Sequence, residues 1–195
     1  VQAATAQIAA LGSGQVKGLT TAQLGALTTA EVASLAAVTA DIAALSSAQV
    51  AGLGSVNITA LGSAGVAALS TAGASGLSSA ETVALGTTML QLGTMEFAAL
   101  STASIAGLTT DAAAALGSAD IIALGTLQVI SITTADVANF GSAQLQALTT
   151  RDIPVLTTAQ IAALSTTQLG LFSTVQVPLF TDPQLEAMKQ ISALA

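Results

Sequence analysis

The chain has 195 residues, 52% of them hydrophobic and only 7% charged, and it lacks cysteine, histidine, tyrosine and tryptophan altogether. A net charge of −7 with three Lys or Arg argues against nucleic acid and anionic membrane surfaces, both of which attract clustered basic residues. The missing side chains remove the usual general bases, thiol nucleophiles, disulfides and most metal ligands. A run of about eighteen apolar residues, as a membrane span requires, is also absent.

One eight-residue word organises the chain. It is clearest in Leu156-Thr157-Thr158-Ala159-Gln160-Ile161-Ala162-Ala163, which Leu164 follows with another copy. With the leading Leu as position one, the series starts at Leu11, Leu19, Leu27 and Leu35 and resumes from Leu45 to Leu85. It then runs from Leu92 through Leu100, Leu124, Ile132, Phe140 and Leu164 to Phe172 and Phe180, about twenty-two copies in all. Two slips interrupt it: Leu35 to Leu45 is ten residues and Leu85 to Leu92 is seven. A fixed period of this kind marks a repeat architecture, in which neighbouring units bury one another's apolar faces.

Position six is a second apolar anchor (Val16, Leu24, Val32, Ile42, Val50, Ile58 and, later, Ile105, Ile121, Ile153 and Ile161), with weak spots at Ala74, Thr82 and Ala113. All four Phe fall on these two anchors, as core residues should. Position three is Ser or Thr from Ser13 and Thr21 to Thr174, then Asp182. Such side chains accept from a free N–H in a helix's first turn. The spacing therefore predicts a cap at position three and a helical turn over positions four to eight. Position five, mostly Gln, Glu or Asp, then complements the helix dipole. Asp182-Pro183 fits the same register, since Pro is favoured directly after a cap. Pro154 and Pro178, at position seven, predict distorted octads.

A single long helix is excluded, because a step of eight at 3.6 residues per turn rotates the apolar stripe by roughly 80° per copy. A β-solenoid is the alternative, favoured by Thr, Val and Ile and opposed by abundant Ala and the lack of strict alternation. The fold class expected is an all-α repeat solenoid of very short capped helices, one per octad. One octad buries a Leu and an Ile or Val, worth roughly 1.5–3 kcal/mol each. Ordering its backbone costs roughly 1–2 kcal/mol per residue. Copies must therefore stack. Position two varies with a period of four octads from Gly54 to Gly125, whereas Asp120, Asp136 and Asp152 lie two octads apart. The number of octads per coil stays open.

In chain order, residues 1–182 form the array, with irregularities near 35–45 and 85–92, and residues 183–195 form a longer amphipathic helix. The first stretch opens at Val1 in mid-repeat, as a window cut from a longer polypeptide or a processed form would. It carries Lys17 at the outward position seven, and a bulge is expected at Ala36-Ala37. The second is glycine-rich (Gly65, Gly73, Gly76). Near the second slip, Met89 and Met95 are expected to fill core gaps. The final helix should turn Leu185, Met188, Ile191 and Leu194 inward.

Asp120, Asp136 and Asp152 could form a ladder for a divalent cation. The simpler reading is that seven of the ten acids sit at position five to complement helix N-termini. Asn57-Ile58-Thr59 matches the N-glycosylation pattern, a chance match in a Thr-rich repeat. The hydroxyl rows read first as caps. Position-two hydroxyls are candidates for O-linked sugars, and a flat ice-binding array is the remote third reading. No catalytic residue, cofactor-binding residue, metal ligand or cofactor is assigned, and the chain does not read as an enzyme.

The words LTTAQIAAL, LTTAQLGAL and LSSAQVAGL (156–164, 19–27 and 45–53) resemble the octapeptide arrays of large secreted or surface, adhesin- or haemolysin-like proteins of Gram-negative bacteria. The resemblance covers nearly the whole chain. It implies an extracellular structural segment of a filament, stalk or adhesin and carries no site residues. Self-association into a fibre or array, without nucleic acid or a membrane span, is the expectation on partners, and glycan modification belongs to the same expectation. The alternative is a solenoid module that binds a glycan or protein, which predicts exposed aromatics or charges on one face.

Overall fold

The computed structural model describes residues 2–194, with side-chain surroundings for 5–191. Its regular structure among those residues is helical, and most helices are four to eight residues long. The chain divides between Gly107 and Leu108 into two compact units. Each is an all-α repeat solenoid built from one short helical turn per octad. The β-solenoid alternative falls away.

The cap sits one residue earlier than the sequence reading placed it. Position two, not position three, is the N-cap: the hydroxyls of Thr20, Thr28, Ser46, Ser78, Thr157 and Ser165 accept from the backbone N–H of position five. Position three is the first helical residue, and position five is the third. The position-five side chain reaches back, so that Thr157 N–H donates to Gln160 Oε1 at 2.8 Å while Gln160 N–H donates to Thr157 Oγ1 at 3.1 Å. This reciprocal pair is a capping box, and its Ser/Thr-x-x-Gln/Glu spacing is present in the sequence. Position five acts here through its reach as well as through any charge. Asp182 shifts in the same way: it opens the last helix, and Thr181 N–H donates to Gln184 Oε1 at 2.7 Å.

The anchors behave as the periodicity predicts. Most position-one and position-six residues line the interior of each unit, with Val177 and Leu185 the exposed exceptions at position six, and the weak spots Ala74, Thr82 and Ala113 are buried with them. All four Phe are buried, and Phe172 meets Phe180 edge-on with ring centroids 5.0 Å apart. In the second unit an interior void of about 10 Å³ lies among Val129, Ile132, Phe140, Ile161 and Phe172, room for roughly one water molecule at most. The core is packed shut.

The irregularities have local causes. Pro154 and Pro178 lie in short 3-10 turns, Ile153–Val155 and Val177–Leu179. The seven-residue step is spanned by a 3-10 helix, Gly86–Gln91, which rises about 2.0 Å per residue against about 1.5 Å in an α-helix, so fewer residues cover the side. No bulge forms at Ala36-Ala37: the helix Thr29–Ala36 extends, with Ala37 as its C-cap. Met89 is fully buried, but Met95 is 71% exposed and fills no gap. In the last helix, Asp182–Leu194, Gln184 is buried whereas Leu185 is exposed and Met188 and Ile191 are half-buried, so its inward face is not the one the sequence suggested. Leu194 lies outside the residues whose side chains are described.

Several glycines are required by geometry, Gly54 and Gly76 among them. Gly54 joins two helical turns within 47–60 at φ 74°, a backbone that L side chains avoid. At Gly76 an added Cβ would lie 2.0 Å from the Ser47 carbonyl oxygen, so this position-eight glycine sets how closely successive turns approach. Gly76→Ala should lower stability by about 1–3 kcal/mol, the usual cost of overpacking. Gly14→Ala, which meets nothing within 4 Å, should be neutral or stabilise by about 0.5–1 kcal/mol. Thermal unfolding of both variants checks this. Thr157→Ala should likewise cost about 1 kcal/mol and Thr158→Ala much less; equal losses would return the cap to position three.

Candidate functional site: the buried position-five row

The position-five side chain does two things at once. In Gln49, Oε1 accepts from Ser46 N–H at 2.9 Å, closing the cap of its own helix. The other end, Nε2, donates to the carbonyls of Val16 (2.9 Å), Lys17 (3.3 Å) and Leu19 (2.8 Å) in the coil before. Gln160 repeats this with Val129, Ile130 and Ile132, and Gln176 with Leu145, Gln146 and Leu148. The acceptors are positions six and seven of the octad four copies earlier and the leading residue of the octad that follows it. Four octads therefore make one coil, which resolves the choice the sequence left open. Gln144, Gln168 and Gln184 follow the rule, Asn57 donates to Leu27, and Ser104 donates through its hydroxyl to Leu77.

An amide suits this place because it carries an acceptor and two donors on one plane. Near a helix's C-terminal end carbonyls run short of intrahelical donors. Position six keeps a bond from the N–H of position one, as Ile132 N–H to the Val129 carbonyl at 3.3 Å, and a buried carbonyl with no partner at all would cost about 1–3 kcal/mol. The Gln Nε2 donates to up to three of these C-terminal carbonyls.

Acids occupy some of the same places. Asp41, Glu81, Asp136 and Asp152 are buried. Asp152 Oδ2 accepts from the Thr149 N–H and hydroxyl at 2.7 and 2.6 Å, and Asp136 Oδ2 accepts from the Thr133 hydroxyl at 2.6 Å. Asp41 Oδ2 and Glu81 Oε1 are buried with no hydrogen-bond partner. Glu31 makes the same box on the surface, where the backbone N–H and then the hydroxyl of Thr28 hold its carboxyl below the usual carboxylate range.

The cation ladder does not form. With four octads per coil, Asp120 and Asp152 stand on one side and Asp136 on the opposite side. Among the described residues no three acids converge as metal ligands. Asn57, the glycosylation match, is buried with its Nδ2 committed to Leu27 at 2.9 Å, so the folded chain does not offer it. Many position-two hydroxyls are occupied as caps, which removes the freedom the sequence reading gave them; position-three hydroxyls such as Thr21, Thr71, Thr102 and Thr158 are the exposed row. Two shallow recesses lie on the surface, one beside Lys17, Ser46 and Ser70 and one beside Ser118, Ile122 and Gln146. Lys17 is the single titratable side chain in their linings.

A family model, the ALTTAQ repeat, matches residues 4–37, 39–71, 89–126 and 129–166, well over half of the chain. The chain belongs to the ALTTAQ repeat family. No curated protein and no solved structure matches it. Each ALTTAQ match spans about one coil, and the family word is its joint: position eight packs against the neighbouring turn, Leu enters the core, the first Thr caps, and Gln crosses to the coil before. The signal missed in the sequence was the preponderance of Gln over Glu. A dipole role would favour the acid, whereas crossing to a carbonyl needs the amide.

Gln160→Leu should remove the Nε2 contacts to Val129, Ile130 and Ile132 together with the cap and cost about 2–4 kcal/mol. Gln23→Ala, at an exposed ALTTAQ box, should cost only about 0.5–1 kcal/mol through the lost cap. Denaturant unfolding of the two variants distinguishes the inter-coil role from capping.

Proposed function

We propose that this ALTTAQ array is a structural segment of an extracellular bacterial filament, stalk or adhesin, and that it self-associates. The observation that carries the reading is the joint itself. Within each unit, coils are tied to the one before by side chain to backbone bonds that recur along the stack, as a linear structural element requires. The exterior supports it: Thr, Ser, Gln and Ala dominate the exposed positions, and charge is too sparse to keep copies apart. We place the segment at the cell surface or outside the cell, where the exposed position-three hydroxyls could carry O-linked sugars. The described residues gather no reactive constellation to suggest catalysis.

A protein-binding module is the second reading, favoured by Ile122, Leu127 and Ile130, exposed apolar side chains on adjacent octads. A glycan platform would call for exposed aromatics, and every Phe is inside.

Electron microscopy of the segment, with sedimentation across a wide concentration range, tests the proposal. Fibres or a concentration-dependent rise in mass are expected. A strictly monomeric particle at every concentration would rule out self-association.

A further inference from the structure

Glu81 stands where the array otherwise uses an amide. Its Oε2 accepts from the Ser78 N–H at 2.8 Å and hydroxyl at 2.9 Å, the part Oε1 plays in each Gln. Oε1 of Glu81 therefore takes the place of Nε2. In the four-octad register the groups opposite that place are the carbonyls of Val50 and Leu53, on the turns 47–60 that pack against Ser79–Leu85. Glu81 is 2% exposed, and its Oε1 has no partner.

An ionised carboxylate only accepts, so it brings bare oxygens together out of reach of water, an arrangement that costs free energy. A carboxylic acid has the same shape and carries one O–H. We propose that Glu81 is a proton-dependent joint. With a proton on Oε1 it donates to the carbonyls of the preceding coil as Gln does, and without one it holds the two coils together less firmly.

The surroundings leave Glu81 alone in this role. Neither its own helix, Ser79–Leu85, nor the segments packed against it (47–60, 86–91 and 102–106) carries another titratable or charged side chain. A joint that donates only when Oε1 carries a proton contributes less as pH rises. Glu31 works in the opposite sense: held low by Thr28, it contributes above its unfolded value and loses that contribution as pH falls. A pH profile of one protein would mix the two, so the measurement is a difference between isosteric variants.

Thermal unfolding of the full chain and of Glu81→Gln is compared from about pH 7 to about pH 4, where buried and ordinary carboxyls take up protons. Near neutral pH the variant should melt about 2–4 °C higher, the shift one regained hydrogen bond gives a chain of this size. The gap should close toward acid. Hydrogen exchange at 47–60 and 79–85, corrected for intrinsic rates, should show the same convergence locally. Gln49→Glu is the converse variant and should acquire a pH-dependent loss that fades in acid. A gap that is absent or constant across pH, or a Gln49→Glu loss equal at every pH, overturns the proposal.

Discussion

The amide that crosses from one coil to the one before is the interaction on which each unit depends. An octad is too short to fold by itself: one helical turn lies below the length at which helices persist in water, and its two anchors cannot offset the ordering of eight backbones. Stacking supplies the rest of the apolar burial, but it also buries the carbonyls that end each turn. A purely apolar seam would offer those carbonyls no donor from the next coil. The position-five Gln resolves both ends of the turn at once, since Oε1 closes the N-terminal cap and Nε2 reaches the carbonyls opposite.

That double duty narrows what the position accepts. Ser104 keeps the crossing through a hydroxyl shared with Ser101, and Asn57 keeps it without the cap. Glu81, Asp136 and Asp152 keep the bond to position two, and an ionised carboxylate there has no hydrogen to donate across. The buried acids are therefore the points at which one coil grips the next by packing alone, or through a proton. Strength along such a stack varies from joint to joint, because each coil touches only its neighbours. A structural segment with graded joints can open locally without unravelling, which ties the chemistry of position five to the mechanical role proposed for the array.

The surface follows from the same economy of residues. With the anchors inside and the position-five row buried, the exterior is left to positions two, three, four and seven. These are small and hydroxylic wherever neighbouring turns must come close, as Gly76 against Ser47 shows. The departures (Val56, Met95, Leu127 and Val175 at position four) are large and exposed. They face solvent where the consensus has Ala, and the packing of their own units does not explain them.

The sequence by itself determined the unit of structure. A period of eight, Leu at one, Ile or Val at six and a hydroxyl near the start make a capped turn with two buried anchors, because side-chain size and local hydrogen bonding act within a few residues. It also foretold that the octads of Pro154 and Pro178 would be distorted and that every Phe would be buried. The cap's register was legible in the Thr-x-x-Gln spacing but was assigned one residue late, since positions two and three both carry hydroxyls and only the backbone shows which one leaves the helix. Tertiary structure alone decided the rest. That four octads close a coil, that Gln160 meets Ile132, and that Glu81 and Asp41 are buried are all settled by contacts about thirty residues apart. No local propensity encodes a partner at that distance; it follows from how many turns complete a circuit before the backbone meets itself.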